Sequence, residues 1–156
     1  KKGKSHVLRV VRELLYTEPQ RTGTSIKCAL DYLLKVAKRK SVVFIISDFL
    51  DQDYWSSLKV VNRKHDVIGI RLYDHAETDM PDMGLAKVED PETGESFWVD
   101  TSSKDARTRL KKEIQIRQEI FQKDTRKIGF DLIPISTNQD FVEPLMSFFR
   151  MREKRY

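Results

Sequence analysis

At 156 residues, 39% hydrophobic and 34% charged, the chain is long enough for one domain with a real core and too apolar to be a disordered segment. No apolar run approaches the roughly 18 residues of a membrane span, and no signal-peptide pattern opens the chain. A single cysteine, Cys28, rules out an intramolecular disulfide and leads us to expect a reducing, cytoplasmic setting. The net charge of +5 is uneven, with nine Lys/Arg against four Asp/Glu in residues 104–127. Without a recognisable binding module beside it, that stretch reads as a solvated helix face, and nucleic acid is not an expected partner.

The first element is a helix, since "HVLRVVRELLY" sets Val7, Leu8, Val11, Leu14 and Leu15 on one stripe. Pro19 and Gly23 break the pattern before a second helix over about 25–39, with Ile26, Ala29, Leu30, Leu33, Leu34 and Ala37 at helical spacing. Cys28 is expected to pack within that helix rather than react. "VVFIIS" is apolar on both faces and predicts a central strand of a parallel sheet.

A short helix over about 52–63 turns Tyr54, Trp55, Leu58 and Val61 inward, and "DVIGIRLYD" makes a second buried strand. Strand, helix and strand in this order form a βαβ unit. After the loop "DHAETDMPDMG", "LAKVE" and "SFWVD" flank the turn "DPETGE" as a hairpin. A long charged helix spans about 103–127 on a thin stripe of Ala106, Leu110, Ile114 and Phe121, helped by Ile116 and Ile120. "FDLIPIS" is a third strand, which Pro134 confines to a sheet edge or strand end. The closing helix turns Phe141, Leu145, Phe148 and Phe149 inward.

These elements compose a single α/β domain over residues 1–156, a doubly wound, mainly parallel sheet with a β-hairpin excursion. The chain begins with a helix that should follow an earlier strand, so the domain is expected to be N-terminally truncated. An open strand edge would then lie beside "VVFIIS", and self-association across it is expected.

Open α/β sheets bind ligands beyond the carboxyl ends of their strands, where Asp48, Asp74 and "STNQD" fall. The loop "RTGTS" enters the second helix, so Thr24 and Asp48 can converge on one sheet end. A hydroxyl and a carboxylate are hard oxygen ligands suited to magnesium or manganese. The alternatives are structural: Asp48 as cap of a helix starting near Asp51, Thr24 as N-cap of the second helix, and Asp51 as a first-turn acid. Asp74, Glu77, Asp79 and Asp82 lack the pattern of a calcium loop and read as solvated. His6, His65 and His75 have no metal-ligand spacing and neighbour no nucleophile. Trp55 and Trp98 are expected core anchors, with Trp98 facing a partner as the alternative.

"GTSIKCAL" and "FIISDF" resemble the threonine loop and the Asp-bearing strand of von Willebrand factor A domains. In those domains an Asp-x-Ser-x-Ser loop, the Thr and the Asp make a metal-ion-dependent adhesion site. The resemblance places Thr24 and Asp48 in it as metal ligands, while the Asp-x-Ser-x-Ser loop matches nothing in this chain. Taken in order, "HVLRVVRELL", "ISDFLDQDY", "RKHDVIGIRLYD", "MPDMGL", "EDPETGE" and "VDTSS" are similar to domain-of-unknown-function family fifty-eight over essentially the whole chain. Genes of that bacterial family commonly neighbour those of MoxR-type AAA+ ATPases.

The resemblance implies a non-enzymatic adaptor domain whose partner is such an ATPase or its client. No firmly bound cofactor is expected in this chain, and magnesium or manganese belongs to the intact domain. The alternative is a magnesium-dependent phosphotransfer or hydrolytic enzyme that uses Asp48, with Asp74 as a second acid.

Overall fold

Helices α1 (Lys4–Tyr16) and α2 (Ile26–Val36) precede strand β1 (Val42–Ser47), and α3 (Trp55–Lys64) leads into β2 (Asp66–Tyr73). The pair β3 (Leu85–Glu89) and β4 (Ser96–Asp100) is followed by α4 (Lys104–Ile128), β5 (Asp131–Ser136) and α5 (Val142–Glu153). The computed structural model describes residues 3–17, 23–74, 81–89 and 94–154. The turn residues 90–93 and loop residues 75–80, including His75, Glu77 and Asp79, lie outside the described residues, as does Pro19.

The β-branched runs pair as one parallel sheet in the order β1-β2-β5, with Ile45 level with Gly69 and Gly69 level with Leu132. β3 and β4 form a separate antiparallel pair, with Lys87 opposite Trp98. Strand alternation divides the large sheet into two apolar faces. On one face Val67 joins Ile26 and Leu30 of α2, Leu58 and Val61 of α3, Phe121 of α4, and Phe49, Tyr54 and Phe130. On the other, Ile68, Ile133 and Ile135 meet Phe148 of α5. Each such side chain, fully buried, contributes about 1.5–3 kcal/mol.

Gly69 is the close-approach point at the middle of β2. A Cβ there would sit 2.5 Å from the Phe130 ring and 2.9 Å from Leu132, so only glycine lets Phe130 lie across the strand. Gly129 ends α4 in the left-handed region at φ 62°, which lets the Phe130 amide donate to the Thr125 carbonyl. Asn62 Nδ2 of α3 donates to the Ile128 and Gly129 carbonyls at 3.1 and 3.2 Å, satisfying the end of α4.

Polar ties fix the other elements. Ser57 Oγ donates to Asp31 across α2 and α3 at 2.9 Å. Arg152 of α5 pairs with Asp66 at 2.7 Å and Asp131 at 3.7 Å, clamping the starts of β2 and β5. The hairpin is held to the start of α4 by Arg107, which pairs with Asp82 at 3.1 Å and donates to the Thr101 carbonyl. Thr101 is itself buried, its hydroxyl donating to the Gly84 carbonyl and accepting from the Met83 amide.

Several expectations change. β1 is not central: β2 is, and among the described residues β1 pairs on one side only. An unbroken apolar run cannot reveal that one of its faces is uncovered, and here Val42, Phe44 and Ile46 are exposed. β5 takes the edge that Pro134 predicted. Cys28 is exposed rather than packed, because two residues from both Ile26 and Leu30 is the far side of a helix. The apolar stripe of α1 buries none of its residues, Trp98 and Phe141 are exposed, and so are Ile116 and Ile120 of α4. No helix among the described residues is long and apolar enough to cross a membrane.

Candidate functional site

The chain leaves β1 through Ser47, Asp48 and Phe49 at the carboxyl end of the sheet. Asp48 Oδ1 accepts from the Leu50 amide at 3.0 Å and from Ser47 Oγ at 3.4 Å. Ser47 Oγ in turn accepts from the Phe49 amide at 3.1 Å. Short polar side chains bonding the backbone two residues on make a tight local turn. Phe49 adopts φ 61°, a left-handed conformation that costs a non-glycine residue about 1–2 kcal/mol. Burial offsets that cost, for the Phe49 ring lies 5.6 Å from Phe121, 6.0 Å from Phe130 and 6.1 Å from Tyr54. Phe49 pulled into the core leaves Asp48 exposed on the rim.

Asp51 connects this turn to α2. Its Oδ2 accepts from the Ile26 amide at 2.7 Å, and its Oδ1 accepts from its neighbour Gln52 at 2.7 Å. Ile26 is the first residue of α2, whose N-cap Ser25 accepts from the Cys28 amide at 3.2 Å. One carboxylate thus satisfies an orphan helix donor and complements the positive end of the helix dipole. The bond spans 25 residues of sequence. Thr24, two residues before Ile26, and Asp48, three before Asp51, are thereby brought to the same end of the sheet, both exposed.

The structural roles expected of these residues shift accordingly. Asp48 does not cap a helix, since α3 starts at Trp55 with Tyr54 as N-cap. Ser25, not Thr24, caps α2. Asp51 serves α2 instead of the first turn of α3. Asp74 accepts from Thr137 Oγ1 at 2.9 Å, while the Thr137 amide donates to the Tyr73 carbonyl at 3.0 Å, so the exits of β2 and β5 are tied together. Asp82 is paired with Arg107. His65 is buried at the end of α3, a packing residue.

Two contributors, Phe49 and Arg71, had no sequence signal, and only the burial of a third, Tyr54, was legible. Phe49 hides its left-handed turn, because nothing in "DFL" announces positive φ. Tyr54 is almost wholly buried, and its hydroxyl is held well above the ordinary tyrosine range. Burial is the main cause, Asp51 adds to it, Arg71 opposes it, and Asp124 and Asp48 contribute less. Arg71, level with Ser47 on the adjacent strand, holds its guanidinium 4.9 Å over the Phe121 ring. Its Nε is buried with no hydrogen-bond partner among the described residues.

The donor set suits a hard divalent cation in kind. It falls short in number, since magnesium and calcium sites draw on six or more oxygens. Among the described residues no three His, Cys, Asp or Glu side chains come together as a metal-holding group.

Comparison with known proteins identifies relatives of the chain. An uncharacterized protein of Mycobacterium avium is 26% identical over 129 residues, covering 81% of this chain and 75% of its own. Uncharacterized proteins of Mycobacterium bovis and Mycobacterium tuberculosis are each 27% identical over 131 residues, covering 81% of this chain and 40% of theirs. The chain therefore spans three quarters of the first relative and two fifths of the others. No solved structure matches it significantly. The family model described as "Protein of unknown function DUF58" matches residues 1–120, from α1 through most of α4. The chain belongs to that family.

Proposed function

We propose that this chain is the interaction module of an adaptor protein, with a von Willebrand factor A-like sheet and half of a metal-ion-dependent adhesion site. Thr24 and Asp48 are the two oxygen ligands of that half, and no bond is made or broken there. The observation that carries the reading is the Asp51–Ile26 bond, which ties the threonine loop to the aspartate turn at the ligand-binding end of a parallel sheet. Both residues stand exposed on the rim, as ligands that meet a partner must. The metal supplies affinity and orientation, leaving an open coordination position for a carboxylate of the partner. Family resemblance suggests a MoxR-type AAA+ ATPase or its client as that partner.

Two protein ligands give a weak site. Calorimetry with magnesium is expected to show no binding at about millimolar or tighter. A signal in that range, abolished by Asp48→Ala, would mean that the site is complete within this chain. An immobilised MoxR-type ATPase is expected to retain the chain, and to retain it less after Thr24→Ala or Asp48→Ala. Equal retention of all three would remove these residues from the interface.

A further inference from the structure

The two ends of the parallel sheet differ in charge. At the carboxyl end the strands exit toward Asp48, Asp51 and Asp74. At the other end each strand is entered from a helix through a short basic connection. Lys38, Arg39 and Lys40 lead from α2 into β1. Arg63 and Lys64 end α3 before β2, and Arg126 and Lys127 lie in the last turn of α4 before β5. All seven residues are exposed, and none is in an ion pair among the described residues.

Polar ties hold these connections side by side. Ser57 of α3 bonds Asp31 of α2, and Asn62 of α3 bonds the Ile128 and Gly129 carbonyls. α2, α3 and α4 therefore end in a row beneath the filled face, neighbours about 8–10 Å apart. α5 packs on the opposite face and ends at the same level, because Arg152 reaches Asp66 and Asp131 at the starts of β2 and β5. Those pairs neutralise the two strand-start acids, and exposed Arg150 and Lys154 flank them.

Helix dipoles favour a base at each of these ends. They do not account for the near absence of acids. Residues 35–41, 62–65 and 126–129 contain none, and 150–154 contain only Glu153. Like charges gathered in this way repel one another and are relieved by a polyanion. Helix C-termini present carbonyls rather than amides, so only long side chains can meet that anion. Such contacts follow charge density and read neither shape nor sequence. The surface also spreads to both sides of the sheet, about 20 Å across, which matches a plane of charge better than a single strand. We propose that this end of the sheet docks on a membrane surface rich in anionic phospholipid headgroups. The strands then rise from the bilayer, with Thr24 and Asp48 displayed at the far end.

Sedimentation with vesicles, in EDTA so that metal plays no part, tests this. At about 50 mM salt the chain is expected to pellet with phosphatidylcholine vesicles containing about one third phosphatidylglycerol, and not with phosphatidylcholine alone. At about 500 mM salt it should stay in solution, since the surface field then reaches only about 4 Å. Arg63→Glu/Lys64→Glu and Arg126→Glu/Lys127→Glu should each lower the partition at least about tenfold. Arg109→Glu/Lys112→Glu makes the same change in net charge on α4, about 20 Å above Arg126, and should bind nearly as the wild type does. All six positions are exposed, and circular dichroism separates lost binding from lost fold. Absence from the anionic pellet at low salt overturns the proposal. So does an equal loss in the Arg109 and Lys112 variant, which would make the attraction one of bulk charge. Full release by short duplex DNA at matched phosphate concentration overturns it too, and assigns the surface to nucleic acid.

Discussion

The two faces of the sheet differ in how they are filled, and the difference separates what holds the site from what surrounds it. On one face α2, α3 and α4 bury a continuous aromatic and aliphatic cluster. On the other, α5 covers β2 and β5 and leaves Val42, Phe44 and Ile46 of β1 exposed. The turn carrying Asp48 is fastened entirely to the filled face, through Phe49 and Tyr54. Rigidity at the site therefore comes from below it, while the thin face remains available for contact. Substitutions should divide along the same line.

The largest effect is expected at Phe49. Phe49→Ala empties the centre of the aromatic cluster and should cost about 3–5 kcal/mol in chemical denaturation. A loss below 1 kcal/mol would mean that the turn is not fastened there. Gly69→Ala comes next, at about 1–3 kcal/mol, because the added methyl overlaps the Phe130 ring. Both belong to the filled face.

Tyr54 makes the contrast pH-dependent. Its hydroxyl pKa is raised in the fold, so the native state holds the proton more tightly than the unfolded chain does. Stability is thus fully present below about pH 10 and falls as pH rises beyond it, by up to about 1.4 kcal/mol per pH unit. Tyr54→Phe should flatten that alkaline fall. An unchanged alkaline profile in the variant would place the titration elsewhere.

Asp51→Ala removes a helix-capping carboxylate and should cost about 1 kcal/mol, with faster exchange of the Ile26 amide. On the thin face, Val42→Thr and Ile46→Thr should change monomer stability by no more than about 0.5 kcal/mol. A large loss at either would mean that this face is covered and the contrast false.

The sequence reveals the elements better than their neighbours. Periodicity placed the helices and strands seen among the described residues, and Pro134 put β5 on an edge. The apolar run by itself made β1 central, because such a run looks the same whether one or both faces are covered; only the expected earlier strand pointed to an open edge beside it. Periodicity also could not follow carboxylates to their targets. Asp48 and Asp51 both sit where a local cap is the simplest reading, yet Asp48 folds back on its own turn and Asp51 reaches a helix 25 residues earlier. Thr24 and Asp48 were singled out through resemblance, and the Asp51–Ile26 bond joins the two segments that carry them. That bond was not legible, because it depends on Phe49 taking a left-handed turn that its side chain gives no reason to expect.

The central claim is that Thr24 and Asp48 belong to one oxygen-ligand half-site. Titration of millimolar manganese into isotope-labelled chain, followed through amide line broadening, tests it even where affinity is weak. The amides of residues 23–26 and 48–52 should broaden together, and Asp48→Ala should abolish broadening in both segments. Broadening confined to one segment, or to neither, would contradict the claim.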